Sequence, residues 1–166
     1  MLILPDLSAT KALAKVLAQE IRCQRLSHLF FTGSLGLGKT TCIRFLVEEL
    51  PGSEKAQVAS PSFALCHHYP VQPPILHCDL YRCMGAIPEE MIEALEQPEL
   101  VLLVEWAELL PAELWPEEVL VLNFARQNQA RTLRLRAQGA KTEAALAAIR
   151  QSPGLQPGHD SNSGQP

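Results

Sequence analysis

Basic side chains are scarce in this 166-residue chain: 14 Lys and Arg stand against 18 Asp and Glu, for a net charge of -4. Tight nucleic-acid binding needs clustered cations that displace counterions from phosphates, so the composition argues against DNA binding and against unaided RNA binding. Aromatics are also few, at 5%, which leaves the packing to aliphatic side chains. No apolar run approaches the roughly 20 residues of a membrane helix. Nothing after Met1 resembles a secretory leader, because Pro5-Asp6 follows at once. The five cysteines are an odd number and form no CxxC pair, and the Cys and His residues between Cys66 and Cys83 lack zinc-site spacing. These absences lead us to expect a cytoplasmic protein with reduced thiols and no membrane contact.

What is present is enough apolar sequence (47%) for one domain with a core. Thr10 is expected to cap a helix running to about Cys23, with Leu13, Leu17 and Ile21 as its apolar stripe. His28 to Thr32 reads as a short strand ended by Gly33. A second helix starts inside the following glycine run, with Ile43, Leu46, Val47 and Leu50 at i, i+3, i+4, i+7 and Pro51-Gly52 as its stop. Val58 to Tyr69 reads as extended, and Ile75 to Tyr81 as a further strand. Pro88 opens a short helix. Leu100 to Val104 is unbroken aliphatic sequence, as in a strand covered on both faces. Val119 to Phe124 and Thr132 to Arg136 are later strands, and Thr142 to Ile149 is helical. This order implies an α/β fold, a three-layer sandwich with a mostly parallel central sheet and antiparallel additions. Residues 1–150 form that domain. From about residue 151 to 166, Pro, Gly, Ser, Asn and Gln dominate, and a disordered tail is expected.

Gly33-x-x-x-x-Gly38-Lys39-Thr40 matches the phosphate-binding P-loop. Glycines let the backbone wrap closely around phosphate oxygens. The N–H groups of Gly33, Gly36, Leu37 and Gly38 then form an anion nest, to which the helix starting at Lys39 adds its positive end. Lys39 is a point charge for the β and γ phosphates, Thr40 offers a hydroxyl to magnesium, and Thr41 helps at the α phosphate. Such a site needs a strand-end acid for the magnesium shell. Glu105 follows the aliphatic strand and Asp79 ends the Ile75 strand, so both are candidates.

These pieces together resemble the TsaE family (formerly YjeE), the small bacterial ATPase of the tRNA threonylcarbamoyladenosine system. The resemblance covers roughly residues 5 to 150. It rests on the loop Gly33 to Thr41, on Ser60-Pro61-Ser62-Phe63-Ala64-Leu65, on His77-Cys78-Asp79-Leu80-Tyr81-Arg82-Cys83, on Pro88-Glu89-Glu90 and on Val104-Glu105-Trp106, in the family's order. It implies Thr40 and Glu105 as magnesium ligands, Asp79 as an acid near the γ phosphate, and Ser60 to Phe63 as a switch-like loop. It further implies Thr10 near the nucleotide base and Arg131 closing the nucleotide site. Three positions depart from the family pattern: Ser34 stands for an acid, Ser62 for Thr, and Cys78 for Phe.

The resemblance implies magnesium-dependent ATP turnover that resets or regulates a complex of TsaB and TsaD homologues, with tRNA met only through that complex; hydrolysis is expected to be slow, because Arg131 is the one candidate for an arginine finger. A small-molecule P-loop kinase is the alternative. It would need an arginine-bearing lid, yet residues 107 to 125 hold no Lys or Arg, while Arg126, Arg131, Arg134 and Arg136 follow. A GTPase switch would carry an Asn-Lys-x-Asp run, and none is present. A scaffold with structural nucleotide would tolerate loss of Lys39.

Overall fold

The computed structural model describes residues 1–56, 58, 61, 64–83, 85–127 and 130–158. Strands are β1 (Leu2–Leu4), β2 (His28–Thr32), β3 (Cys66–Tyr69), β4 (Ile75–Asp79), β5 (Val101–Glu105), β6 (Val119–Gln127), β7 (Ala130–Gln138) and β8 (Gln156–Pro157). Helices are α1 (Leu7–Arg22), α2 (Lys39–Glu48), α3 (Glu89–Ala94) and α4 (Ala140–Gln151). The strands form one sheet in the order β3-β4-β5-β2-β6-β7-β1-β8. The centre, β4-β5-β2-β6, is parallel, and every pairing outside it is antiparallel.

Alternation along the central strands splits the core in two. Leu29 and Phe31 of β2, with Leu103 of β5, face the cluster built with α1, α2 and α4. Phe30, Leu102 and Val104 face the opposite cluster, where α3 and short 3-10 turns provide the cover. Three layers result, as the element order implied. The stripe Leu13, Leu17, Ile21 on α1 and the stripe Ile43, Leu46, Val47 on α2 are both buried against the sheet. Each such side chain contributes about 2 kcal/mol by leaving water. On the thinner face Phe30 meets Trp115 edge-on, with ring centroids 5.2 Å apart.

Several expectations need correction. Helix α1 starts at Leu7, and its cap is Asp6, whose carboxylate accepts from the Ala9 N–H at 2.8 Å. Thr10 sits one turn inside and returns its hydroxyl to the Asp6 carbonyl. An acid three residues before a free helical N–H is the better cap, because Thr10 already has helical neighbours on both sides. Among the described residues of Val58 to Tyr69, only Cys66–Tyr69 forms a strand. Cys66 and Cys78, expected as reduced thiols, lie opposite one another in the β3–β4 register and are joined as a disulfide.

The β6–β7 hairpin is longer than expected, and two short strands were not expected at all. Leu2–Leu4 pairs with β7, and Gln156–Pro157 pairs with Leu2 and Ile3. Residues 156–158 therefore lie along the open edge of β1. The Gly158 N–H donates to the Met1 carbonyl at 3.0 Å. The remaining tail, 159–166, lies outside the described residues, as does the expected switch-like stretch Ser60–Phe63 apart from Pro61.

Candidate functional site

Strands β2, β4 and β5 run parallel and end together, so Thr32, Asp79 and Glu105 reach one edge of the sheet. Ligands collect at this edge in open α/β sheets, beyond the carboxyl ends of the strands. The chain leaving β2 turns through Gly33, Gly36 and Gly38, with φ of 116°, 77° and 99°. At Gly33 the requirement is steric as well, because an added Cβ would meet the Phe124 carbonyl oxygen at 2.2 Å. Gly38 then caps α2 in a left-handed conformation, and the helix begins at Lys39. A cavity of about 400 Å³ lies over this turn, lined by Leu35, Gly36, Gly38, Lys39, Thr40, Thr41, Asp79, Tyr81, Arg82, Glu105 and Trp106.

Inside the cavity the charged groups are held by backbone and hydroxyl partners. Lys39 is buried, and its ammonium donates to the carbonyls of Gly33 at 2.5 Å and Ser34 at 3.1 Å. The same nitrogen lies 4.2 Å from the centre of the Trp106 ring. Burial pushes the Lys39 ammonium below the ordinary lysine range, and the carboxylates of Glu105, Glu108 and Asp79 oppose that shift. Thr40 Oγ1 donates to Glu105 Oε1 at 2.7 Å, joining the first turn of α2 to the end of β5. Asp79 and Glu105 are direct partners in the β4–β5 register. Asp79 also accepts from the Tyr81 N–H at 3.0 Å and so starts the 3-10 turn Leu80–Arg82. Glu108 reaches the Gly33 N–H at 3.2 Å.

The structure thus brings together Gly36, Gly38, Lys39, Thr40, Thr41, Asp79 and Glu105 around one cavity. Gly33 and Leu37 belong to the same loop without lining it. Arg131 comes from a distant strand, and its guanidinium nitrogen Nη1 would stand 3.2 Å from a Cβ on Gly38. Thr10 is buried on α1 and does not line the cavity.

Sequence reasoning assigned no role to Trp106 or Tyr81, and both line the cavity. Their rings pack 4.7 Å apart at the cavity wall. It missed His77 and Tyr69. His77 Nε2 lies 3.1 Å from Glu105 Oε1, and the Tyr69 hydroxyl lies 3.1 Å from His77 Nδ1. The available signal was His77 two positions before Asp79, which puts both side chains on the same face of β4.

A hard cation fits these donors. Magnesium is held by one or two protein oxygens plus phosphate oxygens and water. Thr40 and Glu105 present a hydroxyl and a carboxylate already within hydrogen-bonding distance of one another.

A three-layer α/β sheet whose first parallel strand runs through a left-handed glycine loop into a helix defines the P-loop class of folds. The crystal structure of Bacillus subtilis YdiB shares this architecture, with a TM-score of 0.69 over 90% of this chain and 92% of that one, at 24% identity. The model of the family described as "Threonylcarbamoyl adenosine biosynthesis protein TsaE" matches residues 4–134. The chain is 32% identical over 119 residues to the tRNA threonylcarbamoyladenosine biosynthesis protein TsaE of Rickettsia bellii, covering 69% of this chain and 78% of that one. It is 34% identical over 100 residues to the protein of the same name from Aquifex aeolicus, covering 60% and 70%. This chain belongs to the TsaE family, whose role is in tRNA threonylcarbamoyladenosine biosynthesis.

Proposed function

We propose that the chain binds ATP with Mg2+ in the cavity above α2, hydrolyses it slowly, and acts as a nucleotide switch on a complex of TsaB and TsaD homologues in the cytoplasm. The observation that carries this reading is the Thr40–Glu105 hydrogen bond lying beneath the glycine loop with Lys39 beside it. The loop N–H groups and the N-terminus of α2 receive the phosphates. Lys39 exchanges its two carbonyl partners for β and γ phosphate oxygens. Thr40 and Glu105 hold the magnesium ion, which supplies charge neutralisation at those phosphates. Asp79, beside Glu105, orients the attacking water near the γ phosphate. Arg131, reaching Gly38 from β7, adds positive charge at the outer wall.

Hydrolysis splits the bond between the β and γ phosphates, and water supplies the oxygen of the released phosphate. Loss of the γ phosphate removes the contacts that hold the loops around it, which makes the site a two-state element. The net charge of -4 suits a component that meets tRNA through its partners.

The test is nucleotide-dependent co-purification with TsaB and TsaD. Wild-type protein is expected to be retained more strongly in ATP with Mg2+ than in ADP, and Glu105→Ala is expected to lose that difference. Equal retention of the wild type in both states would reject the switch.

A further inference from the structure

Two buried side chains behind the proposed magnesium pair take no part in the reaction just described. His77 is fully buried on β4, and Tyr69 is 3% exposed on β3. Position 77 faces the same side of the sheet as Ile75, where an aliphatic residue would pack without loss. A buried imidazole costs about 1–3 kcal/mol for each nitrogen left unpaired. Here both nitrogens are paired. The Tyr69 hydroxyl lies 3.1 Å from Nδ1, and Nε2 lies 3.1 Å from Glu105 Oε1. That same oxygen accepts from the Thr40 hydroxyl at 2.7 Å. One unbroken run of hydrogen bonds therefore links β3, β4, β5 and α2.

The direction of the run follows from the donor inventory. As a carboxylate, Glu105 only accepts, so Nε2 carries a proton. Nδ1 then accepts from the Tyr69 hydroxyl. The Thr40 hydroxyl lines the cavity and can turn toward a ligand. The His77 N–H cannot, because its ring is fully buried against the sheet and is held at the far nitrogen.

We infer that His77 and Tyr69 are positioning residues: the Tyr69–His77 pair holds the Glu105 carboxylate in the orientation that serves Thr40 and magnesium. This rests on the reading of Thr40 and Glu105 as the magnesium pair. Groups behind a metal's direct ligands commonly change metal affinity by about 10–100-fold when removed.

The experiment uses the full chain with ATP and titrates Mg2+, following tryptophan fluorescence, since Trp106 lines the cavity. ATP affinity in EDTA is measured in parallel. His77→Leu is expected to raise the Mg2+ midpoint about tenfold, and Tyr69→Phe about threefold. His77→Gln returns an N–H donor and is expected to recover most of the loss. Affinity for ATP in EDTA should stay at the wild-type value in all three. A packing role alone would weaken binding equally with and without Mg2+. That outcome, or a wild-type Mg2+ midpoint in folded His77→Leu, overturns the inference and leaves the proposed function standing. Tyr69→Phe removes one oxygen and keeps the ring, so it decides the matter alone if His77→Leu does not fold. A wild type whose ATP binding ignores Mg2+ overturns both readings.

Discussion

Around the parallel centre of the sheet, polar side chains from β4, β5 and the adjoining β3 and α2 are bonded to one another. Thr40, Glu105, His77 and Tyr69 form one connected run beneath the glycine loop. In the antiparallel wing, which runs outward from the β6–β7 pairing through β1 and β8, charged side chains stay near the rim and reach out to hold other elements. Glu118, just before β6, accepts from the Lys141 and Thr142 N–H groups and from the Thr142 hydroxyl, and so caps α4. Gly139, at the head of that helix, has no side chain to do so. Arg131 on β7 stands over Gly38. The centre therefore gathers bonded polar groups at the cavity, and the wing reaches across to neighbouring elements. Their boundary is Gly33, packed against the Phe124 carbonyl of β6.

Breaking that boundary should have the largest effect. Gly33→Ala places a methyl group 2.2 Å from the Phe124 oxygen at a φ of 116°. The clash and the strained backbone together are expected to cost about 4 kcal/mol of folding stability, read by urea denaturation. Within the centre, Lys39→Ala removes the cation proposed to face the triphosphate. It is expected to weaken ATP binding about 100-fold, or about 3 kcal/mol, with the fold retained by circular dichroism. From the wing, Arg131→Ala should weaken ATP binding about tenfold and leave the Mg2+ midpoint unchanged, because it touches the loop and not the Thr40–Glu105 pair.

The smallest effect belongs to the wing alone. Burial pushes the Glu118 carboxyl up, but the hydrogen bonds from Thr142 and Lys141 outweigh it and hold the group below the ordinary carboxylate range. A carboxyl whose folded-state value is lowered stabilises the fold above its unfolded value of about 4.3, and that stabilisation is lost as pH falls. Glu118→Gln is therefore expected to cost about 1 kcal/mol at pH 7 in thermal unfolding. The gap to wild type should shrink as the pH drops below about 4.3. ATP affinity should not change.

The same division explains what could be seen in the sequence. The centre was legible because its signals are local. Gly33 to Thr41 states its conformation in nine consecutive residues, and the aliphatic run before Glu105 announces a covered strand that must end at the sheet edge. The wing depends on register. Leu2–Leu4 is too short to show a period, and Gln156–Pro157 takes its strand conformation from the open edge of β1. The Arg131–Gly38 approach was reachable only by resemblance, and the Glu118 cap joins residues 24 positions apart. Even in the centre, tertiary pairing hid two residues. His77 reads as one strand residue among several, and only the β4–β5 register brings its Nε2 to Glu105. Thr10 shows the opposite failure, since a plausible capping residue lost the position to Asp6.

The central claim is that a glycine cradle, one lysine and the Thr40–Glu105 pair bind a nucleoside triphosphate with magnesium. Calorimetric titration of the purified chain with ATP, in Mg2+ and in EDTA, tests it most directly. The prediction is one site per chain, tightened by Mg2+ and weakened about 100-fold in Lys39→Ala. A folded protein that takes up neither ATP nor GTP in the presence of Mg2+ would contradict it.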